Sequence, residues 1–112
     1  MKLKEIAQKL ELKTVGKLTD EMNKEITGVY ISDMVSDVIA NAKAGNLLVT
    51  IQIHNNVVAA ANLVDISAIL VTQGKLPADD VTKMAEKAGI PILSTDLNRW
   101  QVLTKLYEAG VR

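Results

Sequence analysis

Asn46-Leu47-Leu48-Val49-Thr50-Ile51-Gln52, Ala68-Ile69-Leu70-Val71 and Pro91-Ile92-Leu93 are three short apolar segments, each closing on polar residues and each followed by a helical pattern. The first runs into His54-Asn55-Asn56, the second into Thr72-Gln73-Gly74 and the third into Ser94-Thr95-Asp96. Strands with no alternating polar face, separated by helices, belong to a parallel sheet covered on both sides. The pattern predicts a single α/β domain over residues 1–112, with a mostly parallel sheet and helices on both faces. Ligands of such sheets gather at the carboxyl ends of the strands. That is where the three polar triplets fall.

Working outward, Lys2 to Leu10 reads as a first helix with Leu3, Ile6, Ala7 and Leu10 on one face. Leu12 to Val15 reads as a short strand, Thr19 to Lys24 as a polar loop, and Glu25 to Ser32 as a strand. Ser32 or Asp33 is the expected cap of a helix carrying Met34, Val35, Val38, Ile39 and Ala42, with Gly45 as its stop. A nearly apolar helix follows from Asn55 to Val64. Pro77 opens the next, Asp79 and Asp80 stand in its first turn, and Gly89 ends it before Pro91. Asp96 is the expected cap of the last helix, with Leu97, Trp100, Leu103, Leu106 and Tyr107 inward and Gly110 as terminator.

Composition narrows the function classes. Thirteen basic and 13 acidic side chains cancel, and the hydrophobic share is 48%. Disorder is thereby disfavoured, and there is no electrostatic ground for nucleic acid or an anionic membrane as partner. The sequence has no phenylalanine, one tryptophan and two tyrosines, too few aromatics for base stacking. Without cysteine there is no disulfide, thiol catalysis or thiolate metal site, which fits a reducing cytoplasm. Met1 to Leu12 carries five charges and no unbroken apolar stretch, so no targeting signal is expected, and no run reaches the ~18 apolar residues of a membrane span.

The sequence holds no GxxxxGK[ST] and no GxGxxG. Its single histidine has no second ligand at metal-binding spacing, and no serine sits in a nucleophile elbow. Neither metal, cofactor nor catalytic residue is expected.

What remains is the strand edge. Thr50, Gln52, His54 and Asn55 lie at one strand end, Thr72 and Gln73 at the next, Ser94 and Thr95 at the third. Each group has a plain alternative as helix cap or turn. Helix amino termini with a histidine beside them also suit a phosphate or carboxylate. These eight residues are the candidate contacts of a small anionic metabolite or nucleotide.

The stretch Glu25-Ile26-Thr27-Gly28-Val29-Tyr30-Ile31-Ser32-Asp33-Met34-Val35-Ser36, then Gly45 to His54 and Gly89 to Thr95, resembles a DRTGG domain over about residues 2–109. Such domains occur free-standing, beside cystathionine-β-synthase-type modules in regulated inorganic pyrophosphatases, and ahead of some phosphate acetyltransferases. They are similar to the amino-terminal domains of HPr kinase/phosphorylase and of the Mur ligases. The resemblance implies a non-catalytic regulatory or assembly module. The signature itself departs from the pattern: Asn23-Lys24 stands for Asp-Arg, and Val29 follows Thr27-Gly28 in place of a second glycine. Lysine lacks arginine's bidentate fork.

A homodimer is expected as well. The helix from Asn55 to Val64 has only Asn55, Asn56 and Asn62 as polar residues, and exposed apolar surface of that extent marks an interface. The alternative is coverage by the amino-terminal helix of the same chain. A structural dimerisation or protein-docking role without ligand is the competing function.

Overall fold

The computed structural model describes residues 1–17 and 20–111. Five strands, β1 (Lys13–Val15), β2 (Gly28–Ile31), β3 (Asn46–Thr50), β4 (Ala68–Val71) and β5 (Ile92–Ser94), form one sheet in the order β1-β5-β4-β3-β2. β2 to β5 are parallel, with Leu48 opposite Ile69 and Leu70 opposite Leu93, whereas β1 runs antiparallel along β5. The mostly parallel α/β architecture read from the apolar segments is the one observed.

Five helices cover the sheet: α1 (Leu3–Lys9), α2 (Val35–Asn41), α3 (Asn55–Leu63), α4 (Asp79–Ala88) and α5 (Arg99–Glu108). β2, β3, β4 and β5 are neighbours in chain order. Right-handed crossovers that advance in one direction keep their helices on one side. Val38 of α2, Val57, Val58, Ala60 and Ala61 of α3, and Val81 and Ala85 of α4 accordingly share one core with Leu48, Ile69 and Ile92. The opposite face packs Leu3 and Ile6 of α1, Leu10 just after it, and Val102 and Leu106 of α5 on Leu47, Val49, Leu70 and Leu93. Both faces of β3 and β4 are sealed, which is why those strands lack a polar side.

Several local expectations change. The Asn55–Val64 helix needs no second chain, because α3 lies between α2 and α4 and buries Val57, Val58, Ala60 and Ala61 there. The amino-terminal helix packs on the other face. α2 starts after Met34, without a side-chain cap: the Asp33 carboxylate is engaged elsewhere, and the Ser32 hydroxyl accepts from the Met34 amide at 3.2 Å, ahead of the helix. Asn98, not Asp96, caps α5: its side chain accepts from the Gln101 amide at 2.9 Å, and Gln101 returns a bond to the Asn98 amide. Val102 and Leu106 face inward, while Trp100 and Tyr107 are 74% and 64% exposed. The Thr19–Lys24 loop contains a 3-10 turn at Asp20–Asn23; Thr19 lies outside the described residues. Among the described residues no helix is long and apolar enough to cross a membrane.

Candidate functional site

The carboxyl ends of β2 to β5 collect the polar triplets along one edge, but in three neighbourhoods. The first is organised by Asp33, which follows β2. One carboxylate oxygen accepts from the Ile51 amide at 2.9 Å and the Thr50 hydroxyl at 3.1 Å, and the other takes the Arg99 guanidinium from the start of α5. The Gln52 side chain donates to the Asp33 carbonyl at 2.8 Å, and the Gln52 amide donates to the Thr50 hydroxyl at 3.1 Å. Burial pushes the Asp33 carboxyl up, but the donors from Ile51, Thr50 and Arg99 together outweigh it and hold it below the usual range. Thr50 and Gln52 thus commit polar atoms to tying β2, β3 and α5 together. Arg99 stands 66 residues from Asp33, and no local pattern in the sequence announces the pair.

His54 and Asn55 occupy the second neighbourhood. His54 is the cap position of α3, Ala78 that of α4, and neither side chain caps its helix. Both helix starts border an open groove of about 500 Å³, together with Asn55, Asn56 and Asp80. The helix ends favour negative charge there, and Asp80 already supplies one.

The third lies between β4 and β5. The connections after β2, β3 and β4 turn to one face and the connection after β5 turns to the other, so this is the topological switch point, the place where open parallel sheets form a ligand crevice. Thr72, Gln73, Ser94 and Thr95 all meet here. Two backbone bonds lace the loops across it: the Gln73 amide to the Leu97 carbonyl and the Gly74 amide to the Thr95 carbonyl, both 2.9 Å. Gln73 holds φ at 62°, a left-handed conformation unusual for a side-chain-bearing residue. Beneath it, the Thr72 hydroxyl is fully buried and, among the described residues, is the one buried side-chain polar atom without a hydrogen-bond partner. An unmet buried hydroxyl costs about 1–3 kcal/mol. Beside the switch point a groove of about 470 Å³ runs between the end of α1 and α5, with Ser94 and Thr95 in its wall. Lys9, Lys13 and Lys105 line it against Glu11 and Asp96, leaving one positive charge in excess. The Lys13–Asp96 pair is 3.9 Å apart and well exposed, so it neutralises little.

The segment carrying the signature lies at the opposite edge of the sheet. The Lys24 ammonium donates to the carbonyls of Gly89 at 2.7 Å and Ser67 at 3.4 Å, joining the approach to β4 with the end of α4. The Thr27 hydroxyl donates to Ala44 at 3.0 Å and accepts from the Asn46 side chain at 3.4 Å. Lys24 and Thr27 therefore join segments of the amino edge. Among the described residues no three His, Cys, Asp or Glu side chains come together to hold a metal.

The DRTGG domain family model matches residues 5–109, and the chain belongs to that family. No curated protein matches it in sequence. Its fold is similar to the crystal structure of the CBS and DRTGG domains of the regulatory region of Clostridium perfringens pyrophosphatase, complexed with the activator diadenosine tetraphosphate. The TM-score is 0.72 at 14% identity, over 96% of this chain and 46% of that one, so the chain spans less than half the length of that regulatory region.

Proposed function

We propose that this DRTGG domain is a regulatory, ligand-sensing module with no catalysis of its own, and that it takes a small anionic metabolite or nucleotide at the carboxyl edge of its sheet. The observation that carries this reading is the Thr72 hydroxyl, buried without a partner at the β4–β5 switch point. A polar ligand entering the crevice would supply the missing bond. Such a ligand has to open the Gln73–Leu97 and Gly74–Thr95 backbone bonds to reach Thr72; Ser94 and Thr95 line the adjoining lysine-bearing groove, which favours an anion over a cation. Gln73 is an outer contact there, His54 and Asn55 border the separate groove at the starts of α3 and α4, and Thr50 and Gln52 act through Asp33. The nucleotide class is supported by the pyrophosphatase regulatory region of similar fold, whose activator is diadenosine tetraphosphate.

The test is a thermal-shift panel of adenine nucleotides, diadenosine tetraphosphate and sugar phosphates on wild type, Thr72→Val and His54→Ala. A ligand-dependent rise in wild type that Thr72→Val removes supports the reading. No rise with any of these ligands, or equal rises in all three proteins, refutes it. The reading extends to a homodimer in the cytoplasm, in keeping with the cysteine-free composition. A purely structural pairing role is the second reading, favoured by the free edge of β2.

A further inference from the structure

After Thr72 the chain leaves β4 as Gln73-Gly74-Lys75-Leu76-Pro77 and enters α4 at Asp79. Gln73 to Leu76 are exposed one after another, Leu76 at 61%. Among the described residues, two backbone bonds tie residues 73–77 to the loop opposite: the Gln73 amide to the Leu97 carbonyl and the Gly74 amide to the Thr95 carbonyl. A segment with exposed side chains and so few bonds opens at far lower cost than the body of a fold. Gln73 adds to this, because φ of 62° is strained for a residue with a side chain and persists only while its surroundings hold it.

The loop opposite is fixed by contrast. The Thr95 amide donates to the Val71 carbonyl at 3.0 Å, the Leu97 amide to the Thr95 hydroxyl at 3.3 Å, and Asn98 and Gln101 exchange bonds at the start of α5. Between the two loops lies Thr72. Its amide donates to the Thr50 carbonyl at 3.1 Å, so the ends of β3 and β5 close it in on either side and residues 73–77 close it off along the strand. Its hydroxyl is left without a partner. When the segment lifts, two backbone pairs exchange their bonds for bonds to water, at little net loss. The hydroxyl gains a partner it lacks when the segment is down.

We infer that residues 73–77 are a strap that gates the switch-point crevice, and that the buried Thr72 hydroxyl biases it toward opening. An unmet hydroxyl shifts such an equilibrium by about 5- to 150-fold. The gating rests on the ligand-sensing reading above, whereas the opening itself needs no ligand. A ligand that bonds the hydroxyl takes the open form, so closure weakens its apparent affinity in proportion to the fraction of molecules that are open.

Hydrogen exchange of the full chain, read by NMR and corrected for intrinsic rates, tests the opening. In wild type the Gln73 and Gly74 amides should exchange at least about tenfold faster than the neighbouring Thr72 and Thr95 amides. Thr72→Val should slow the first two by at least about fivefold relative to the amides of α2, and Thr72→Ser, which keeps the hydroxyl, should not. Equal exchange at all four wild-type amides overturns the strap, and so does a folded Thr72→Val with unchanged rates. If that variant misfolds, the wild-type comparison decides. Gating is read by calorimetry with ATP, diadenosine tetraphosphate and glucose 6-phosphate as probes on wild type and Gly74→Pro. Proline lacks the amide that bonds Thr95 and cannot hold φ of 71°, so this strap stays open. A probe that wild type binds should bind Gly74→Pro at least about fivefold tighter; equal or weaker binding overturns the gate. If no probe binds either protein, the ligand reading fails and exchange alone decides the strap, as it does if the proline variant misfolds.

Discussion

Replacing Lys24 by methionine keeps the aliphatic stem and removes the ammonium that bonds Gly89 at 2.7 Å and Ser67 at 3.4 Å. The longer contact is weak by its geometry, so the loss rests on the Gly89 bond. Gly89 ends α4 with φ at 71°, and its carbonyl points past the helix to Lys24. A hydrogen bond from a charged donor contributes about 1.5–3 kcal/mol. Lys24 is half-buried, which places this one toward the lower figure, about 1.5 kcal/mol. For a domain of this size 1 kcal/mol moves Tm by about 4 °C, so Lys24→Met should melt about 6 °C below wild type by calorimetry. Lys24→Arg restores a cationic donor and should melt within about 2 °C of wild type. The two sites lie at opposite edges of the sheet, so ligand-induced shifts should be equal in wild type and Lys24→Met. A methionine variant within about 2 °C of wild type, or equal losses for methionine and arginine, would refute the clamp.

Thr72→Val removes the unmet hydroxyl while keeping the shape, so ligand-free stability should hold or rise by up to about 1 kcal/mol in denaturant titration. A loss beyond about 1 kcal/mol would mean the hydroxyl is bonded in the protein. Asp33 has a folded-state pKa below its unfolded value near 3.9, so its stabilising effect is present above that pH and is lost as pH falls through the folded value. Thermal melts between pH 6 and 2.5 should therefore show a steeper acid loss for wild type than for Asp33→Asn, and parallel curves would exclude the carboxylate. Gly45→Ala should cost about 2 kcal/mol or more in chemical denaturation, since φ is 83° and the new Cβ would lie 2.7 Å from Thr27 side-chain atoms. Leu48→Ala, emptying a fully buried site between the sheet and α3, should cost about 2–5 kcal/mol in the same assay.

The fold is legible because burial on both faces leaves a mark that no other class of strand carries. Leu47, Leu48 and Val49 are consecutive and all fully buried, which requires layers above and below. What escapes the sequence is anything decided by a shift of one or two residues or by a distant partner. The start of α5 is such a case: Asp96 and Asn98 are both good caps, and only the Gln101 side chain returning to Asn98 selects the second. The inward face of α5 is a second case: Val102 and Leu106 take it, and Trp100 and Tyr107 stand outside the core. The enclosure of α3 is another, since its flanking helices are brought to it by topology rather than by any property of residues 55–63.

The site divides along the same line. That polar residues follow each strand is local information, and the edge where they gather is set by parallel pairing alone. Which of them matter depends on where the chain turns after each strand. Thr50 and Thr72 stand next to each other at the ends of β3 and β4, with the Thr72 amide donating to the Thr50 carbonyl at 3.1 Å. Both are threonines and both are fully buried, yet one hydroxyl is bonded to Asp33 and the other has no partner. The connection leaving β4 shares a face with α3, and the connection leaving β5 does not. Divergence of those two paths, not the identity of either threonine, separates a structural hydroxyl from a candidate contact.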